Sequence, residues 1–192
     1  MIETDHVIEG ERVALGPLRR DLAERYRSWI HDLDVRRGVL NPGVYALQAE
    51  ESWIDESIAK CAGLQPEQAS FTIYDRSDDE PVGTCSLFEI GWRFRRATFG
   101  ILLGERRGQG LGTDATRLAL DWGFNLLGLA NVLLEVLPDN AGAVRAYEKA
   151  GFRPIGVRRG SVFNFGRVGD ALLMDAVPQE FESPVLRGRA AR

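Results

Sequence analysis

Residues 102–125 read LLGERRGQGLGTDATRLALDWGFN, and their spacing points to anion chemistry. Gly108, Gly110 and Gly112 alternate with Gln109 and Leu111 ahead of Thr113, so little side-chain bulk covers the backbone N–H groups of this turn. A helix starting here would add its unpaired donors and the positive end of its dipole, an arrangement that suits a pyrophosphate. Arg106 and Arg107 would strengthen the positive field. A phosphate loop of the G-x-x-x-x-G-K-[ST] type is excluded, because residues 102–125 contain no lysine. A G-x-G-x-x-G dinucleotide fingerprint is excluded too, because position 113 is Thr rather than Gly. Glycine spacing alone fits a ligand-free strand-to-helix turn equally well.

A second stretch, residues 134–152, reads LEVLPDNAGAVRAYEKAGF. Glu135 interrupts an apolar strand, and burial there would raise a carboxyl pKa toward that of a general base. An edge position facing solvent, or a structural pairing with an arginine, explains it equally well. Asn140 stands where a helix would begin and is suited to cap it.

Positioning these residues requires strands running into helices. Strands are expected at 7–18, 69–75, 81–92, 96–103, 130–137, 152–164 and 168–177, and helices at 21–33, 48–62, 110–127 and 141–150. Trp53, Ile54 and Ile58 would form the buried face of the second helix. The turn at 76–80 makes 69–92 an antiparallel hairpin, and the apolar run 130–137 reads as a buried parallel strand. The fold class is therefore α+β: a central mixed, mostly antiparallel sheet of about seven strands with one β-α-β crossover, flanked by four helices. Residues 1–182 make one domain, and 183–192 (SPVLRGRAAR) a flexible basic tail.

Composition narrows the function. The chain has 192 residues and a net charge of −4. Residues 1–92 hold 9 basic and 18 acidic side chains, and residues 93–192 hold 15 and 10. The second half is thus suited to an anion and the first to a cation. No apolar stretch is long enough for a membrane helix, and the polar start is unlike a secretory signal, so a cytoplasmic protein is expected. Cys61 and Cys85 read as free thiols, and two histidines are too few for a zinc site, so no metal is expected. No basic run interleaved with aromatics suggests a nucleic-acid partner.

The two stretches together resemble the GNAT superfamily of acyl-CoA-dependent N-acetyltransferases. Arg107-x-x-Gly110-x-Gly112 is similar to its coenzyme A loop, and Asn140-x-x-Ala143-x-x-x-Tyr147-x-x-x-Gly151-Phe152 to its second signature. The order of elements agrees over roughly residues 7–177. Within the superfamily the chain looks most like the ribosomal-protein N-terminal and spermidine N-acetyltransferases.

The resemblance implies acetyl transfer from acetyl-CoA to a primary amine by direct attack: a polyamine, an aminoglycoside or a similar metabolite. The alternative it admits is a protein N-terminal α-amine as acceptor, and the further alternative a non-catalytic acyl-CoA-binding module, which the presence of Tyr147 and of the full glycine loop disfavours. It places the pyrophosphate on Arg107, Gly108, Gln109, Gly110, Leu111, Gly112 and Thr113, and the pantetheine arm along Ile101 and Leu102, with Asn140 beside it. It makes Tyr147 the general acid and a coenzyme contact, and Glu135 a candidate base. It puts the acceptor near the first two helices and the loop at 34–47, where Trp29, Trp53, Tyr45 and Trp92 are candidate walls. Asp32, Asp34, Glu50, Glu51, Asp55 and Glu56 are acidic candidates there. It also favours a homodimer.

Overall fold

A computed structural model describes residues 5–39 and 43–190. Its sheet has eight strands: β1 (Ile8–Glu9), β2 (Val13–Pro17), β3 (Ala69–Asp75), β4 (Glu80–Gly91), β5 (Arg96–Leu103), β6 (Asn131–Val136), β7 (Arg153–Asn164) and β8 (Arg167–Ala176). Their spatial order is β1-β2-β3-β4-β5-β6-β8-β7. All neighbouring pairs are antiparallel except β5 and β6. The eighth strand arises because the segment expected as one strand at 7–18 folds back on itself. Gly10 N–H donates to Val13 O at 2.9 Å, and Ile8 then pairs with Leu15.

The four expected helices are α1 (Ala23–His31), α3 (Leu47–Lys60), α4 (Leu111–Asn125) and α5 (Ala141–Ala150). Two short ones join them: α2 (Leu33–Val39), inside a stretch expected to be mostly loop, and α6 (Arg187–Ala190), in the expected tail. Among the described residues no helix is long and apolar enough to cross a membrane.

The main core lies between the sheet and α4. Leu111, Ala115, Leu118 and Ala119 recur at helical spacing and pack with Val132 and Leu134, alternate residues of β6. A smaller core holds α1 and α3 against the other face, with Tyr26, Trp29 and Ile54 at its centre. Tyr26 fastens α1 to β3 through a 2.5 Å hydrogen bond with the Thr72 hydroxyl.

On α3 the buried residues are Glu50, Ile54 and Ser57, whereas Trp53 and Ile58 are 40% and 44% exposed. Of the three residues expected on the buried face, Ile54 is buried and Trp53 and Ile58 are not; the helix is rolled about its axis so that it carries a carboxylate inward.

The stretch expected as a flexible tail is tied down over its first half. Asp121, fully buried on α4, accepts hydrogen bonds from Ser183 Oγ (2.6 Å) and from the backbone N–H groups of Val185 and Leu186 (both 2.9 Å). Asn125 Nδ2 donates to it as well, at 2.6 Å. Val185 and Leu186 then pack on the main core. The end of the expected tail, at 191–192, lies outside the described residues.

Removing one partner of a charged, buried hydrogen-bond cluster costs more than a surface bond, because the remaining groups lose their satisfaction. Asp121→Ala should lower unfolding stability by about 3 kcal/mol and expose residues 183–190 to limited proteolysis. Urea denaturation and mass mapping of the first cleavage sites check both.

Candidate active site

The parallel pairing of β5 with β6 runs only from Arg96–Asn131 to Thr98–Leu133. Beyond it, Phe99–Leu103 remains paired with β4 on one side only. Strand backbone groups alternate in direction, so about half of those in this stretch face the gap and have no strand to pair with. A cavity of about 750 Å³ opens there, lined by Ile101, Leu102 and Leu103 on one wall and by Asn140, with Ala143 and Tyr147 of α5, on the other. Its size falls in the range of small-molecule sites.

The end of β5 turns through residues 104–110 into α4. Gly108 has φ +79° and Gly110 φ +87°, left-handed conformations that glycine adopts without strain. Gly110 is the N-cap of α4 and offers no capping side chain. Thr113 and Asp114 N–H return to Gly110 O, which leaves the Leu111 and Gly112 N–H groups, just before them, as helix-end donors without an intrahelical acceptor. A Cβ at Gly110 would lie 2.6 Å from Arg12 Nη1, and one at Gly112 would lie 2.9 Å from Leu103 Cδ1. The cradle is therefore shaped by the absence of side chains. Gly108, Gly110, Gly112 and Thr113 all line the cavity. Leu111 is 2% exposed and gives its side chain to the core, so only its backbone faces the turn. Gln109 is exposed and does not line the cavity.

The two arginines expected to supply positive field are both engaged by carboxylates. Arg106 bridges Asp75 (2.5 Å) and Asp78 (2.5 Å), which ties the turn to the β3–β4 hairpin. The Ser77 N–H and this guanidinium together hold the Asp75 carboxyl down to about 2. Arg107 lines the cavity but pairs with Asp32 at 3.1 Å. Arg37 of α2 and Arg145 and Lys149 of α5 also line the cavity, three cations that sequence reading did not single out. The spacing of Arg145 and Lys149, four residues apart on one helix face, was the available signal. Asp34 and Asp139 are the acidic residues on the same lining.

Asn140 caps α5, its Oδ1 accepting from Ala143 N–H at 3.2 Å, and it also lines the cavity. Both roles weighed from sequence are thus open to it. Tyr147 is held by Phe99 and Phe152, with ring centroids 6.4 and 6.0 Å away in edge-on packing. Among the described residues its hydroxyl has no hydrogen-bond partner. Burial pushes the phenol pKa up to about 12, so it keeps its proton at neutral pH.

Glu135 is not the buried acid considered from sequence. It is exposed on β6, and its Oε1 accepts from Arg158 Nη1 at 3.0 Å. It is absent from the cavity wall. Val132, Leu134 and Val136 take the buried face of β6, and strand alternation turns Glu135 to the other.

A second, smaller pocket of about 190 Å³ adjoins the first at Leu102, which lines both. Trp29, Tyr45 and Trp53 line it, as does Glu50, the only acidic side chain on its wall among the described residues. Trp92 is elsewhere, donating to Pro66 O at 3.1 Å. Glu51 and Asp55 pair with Arg20 instead. Among the described residues no group of three His, Cys, Asp or Glu side chains could hold a metal ion.

Comparison with known proteins gives a consistent match. Residues 12–153 match the family described as acetyltransferase (GNAT) domain. The chain is 38% identical over 98 residues to the spermidine N(1)-acetyltransferase of Escherichia coli (strain K12), covering 50% of this chain and 53% of that protein. The chain spans about half the length of the curated relatives it matches. Two solved structures share its fold. Spermidine N-acetyltransferase from Vibrio cholerae, in complex with CoA and spermine, superposes with a TM-score of 0.78 at 23% identity, over 88% of this chain and 97% of that one. Mycobacterium smegmatis RimJ, in complex with CoA-disulfide, superposes with a TM-score of 0.80 at 23% identity, over 93% and 88%.

The Tyr147 environment has a thermodynamic consequence. Its pKa is raised on folding, so the unfolded chain ionises first, from about pH 10, while the folded chain stays neutral until about 12. The stability it contributes is complete below pH 10 and is lost as pH rises through that window. Tyr147→Phe should therefore lose less stability than wild type between pH 9.5 and 11.5. Parallel declines in urea midpoint would place the phenol in water.

Proposed function

The chain belongs to the acetyltransferase (GNAT) domain family, and we propose that it transfers an acetyl group from acetyl-CoA to a primary amine by direct attack. One observation carries the reading. The uncapped N-terminus of α4, the unpaired edge of β5 and the unbonded Tyr147 hydroxyl all meet in one cavity.

Each part of a CoA thioester finds a chemically matched wall there. The backbone N–H groups between Gly108 and Thr113 suit the pyrophosphate, and Arg37, Arg145 and Lys149 supply charge. The free backbone groups at Ile101 and Leu102 suit the amides of the pantetheine arm, in the manner of an added strand. Asn140 stands beside that path, and Tyr147 closes it. A neutral amine attacks the thioester carbonyl, the C–N bond forms, the C–S bond breaks, and Tyr147 gives its proton to the departing thiolate; the proton shed by the attacking nitrogen passes through water and restores the phenol. Holding both reactants in one cleft supplies much of the acceleration. No proton is routed through Glu135, given its exposure and its pairing with Arg158.

The acceptor reading favours a small amine. The related Escherichia coli protein carries the name of a spermidine acetyltransferase, and the Vibrio cholerae structure holds CoA and spermine. A cytoplasmic setting, in which Cys61 and Cys85 stay free thiols, and a homodimeric state complete the proposal.

Two variants test it. Gly110→Trp should abolish calorimetric binding of acetyl-CoA, since a side chain is strained at φ +87° and an indole would fill the turn that lines the cavity. Tyr147→Phe should keep that binding and lower kcat for spermidine acetylation by roughly 100-fold, as is typical for loss of a general acid. Unchanged turnover in Tyr147→Phe removes the phenol from the reaction, and equal binding by Gly110→Trp removes the turn from the coenzyme site.

A further inference from the structure

The tip of the β4–β5 hairpin lines neither pocket. Residues 92–96 read WRFRR, a short exception to the lack of basic runs interleaved with aromatics. Arg93, Phe94, Arg95 and Arg96 are all exposed, Phe94 by 64%. Among the described residues none of these arginines pairs with a carboxylate. Glu89, the acid of this hairpin nearest the tip in sequence, accepts from Thr98 Oγ1 at 3.0 Å instead.

The backbone is bent to present these side chains. Arg95 has φ +52°, in the left-handed region where glycine or asparagine is at ease and a long side chain is not. Three hydrogen bonds hold it there. Phe94 N–H donates to Gly91 O at 3.1 Å, Ala130 N–H to Arg95 O at 2.5 Å, and Arg95 Nε to Gly128 O at 2.6 Å. Backbone strain kept in place by its surroundings gathers at functional surfaces. Phe94 then serves as a plate, with Arg93 Cζ 5.4 Å and Arg96 Cζ 5.5 Å from its ring centroid. A guanidinium over a ring keeps its in-plane N–H forks free for an anion. Sharing one ring holds the two forks on the scale of same-face carboxylates along an extended peptide, about 7 Å apart.

A nucleic-acid strand is tracked along a groove by many cations. Here four exposed residues are offered, on a chain whose net charge of −4 repels a long polyanion. Arginine and aromatic side chains are instead enriched at the centres of protein–protein contacts. We propose that the β4–β5 tip docks an extended acidic segment of another protein, with Arg93 and Arg96 pairing its carboxylates and Phe94 packing against its chain. The tip sits beside the C-terminal end of α4, whereas the glycine turn opens the same helix about 22 Å away. The docking surface therefore does not depend on acetyl transfer as the activity.

The test titrates the full chain into two labelled probes followed by fluorescence anisotropy: a dodecapeptide of alternating Glu and Ala, and an oligothymidylate of equal charge. The peptide should bind wild type, more weakly as salt rises. Arg93→Gln/Arg96→Gln should bind it roughly ten-fold more weakly. Phe94→Ala should weaken it as well, because both guanidinium groups lose their plate. Arg159→Gln, an exposed arginine of β7, should bind as wild type does. Urea midpoints should be equal in all of these chains, which establishes that each is folded. No peptide binding by wild type, or equal binding by wild type and the double variant, overturns the assignment. Tighter binding of the oligothymidylate than of the peptide, lost in the double variant, overturns it too and gives the tip to nucleic acid.

Discussion

The structure depends on the place where two parallel strands stop pairing. β5 and β6 share three residue pairs and then part. A buried backbone amide or carbonyl without a partner costs about as much as a lost hydrogen bond. A gap at the centre of an eight-stranded sheet is therefore expensive unless something fills it. Much else in the fold serves to hold that gap open. α4 crosses from β5 to β6, α5 lines the gap, and Phe99 and Phe152 wedge Tyr147 between them.

Electrostatics sorts the basic residues into two tasks. Arg106 and Arg107 flank the glycine turn, but carboxylates hold both: Asp75 and Asp78 for the first, Asp32 for the second. Their role is to fix the turn against the hairpin and against the end of α1. The cavity draws further positive charge from α2 and α5 instead, through Arg37, Arg145 and Lys149. The acidic first half of the sequence divides in the same way. Glu51, Asp55 and Asp32 pair with arginines on the surface, and Glu50 is turned inward toward an aromatic wall.

Much of this was legible in the sequence where the signal is local. β3 and β5 fall at the bounds that alternation and turn residues suggest, and Asn140 caps α5 as its type predicts. The split of 7–18 into two strands turns on Gly10, a marker visible in the sequence but readable equally as an irregularity. Non-local facts were hidden. For Glu135 the apolar neighbours admit a buried base and an arginine-paired surface acid equally, and only the register of β6 with β8 and the reach of Arg158 decide for the second. The roll of α3 about its axis depends on what α1 and the sheet leave room for, so Trp53 and Ile58 looked like core when Glu50 and Ser57 take that side. Asp121 gave no sign that it anchors residues 183–186, because its partners lie more than sixty positions away.

The central claim is that the unpaired edge of β5 and the glycine turn form one site for a CoA thioester. Amide hydrogen exchange with and without acetyl-CoA tests it at the backbone groups concerned. Protection on binding should appear together in Phe99–Leu103 and Gly108–Thr113, with exchange in the β7–β8 hairpin unchanged. Protection confined to other segments, or none at saturating acetyl-CoA, would contradict the account.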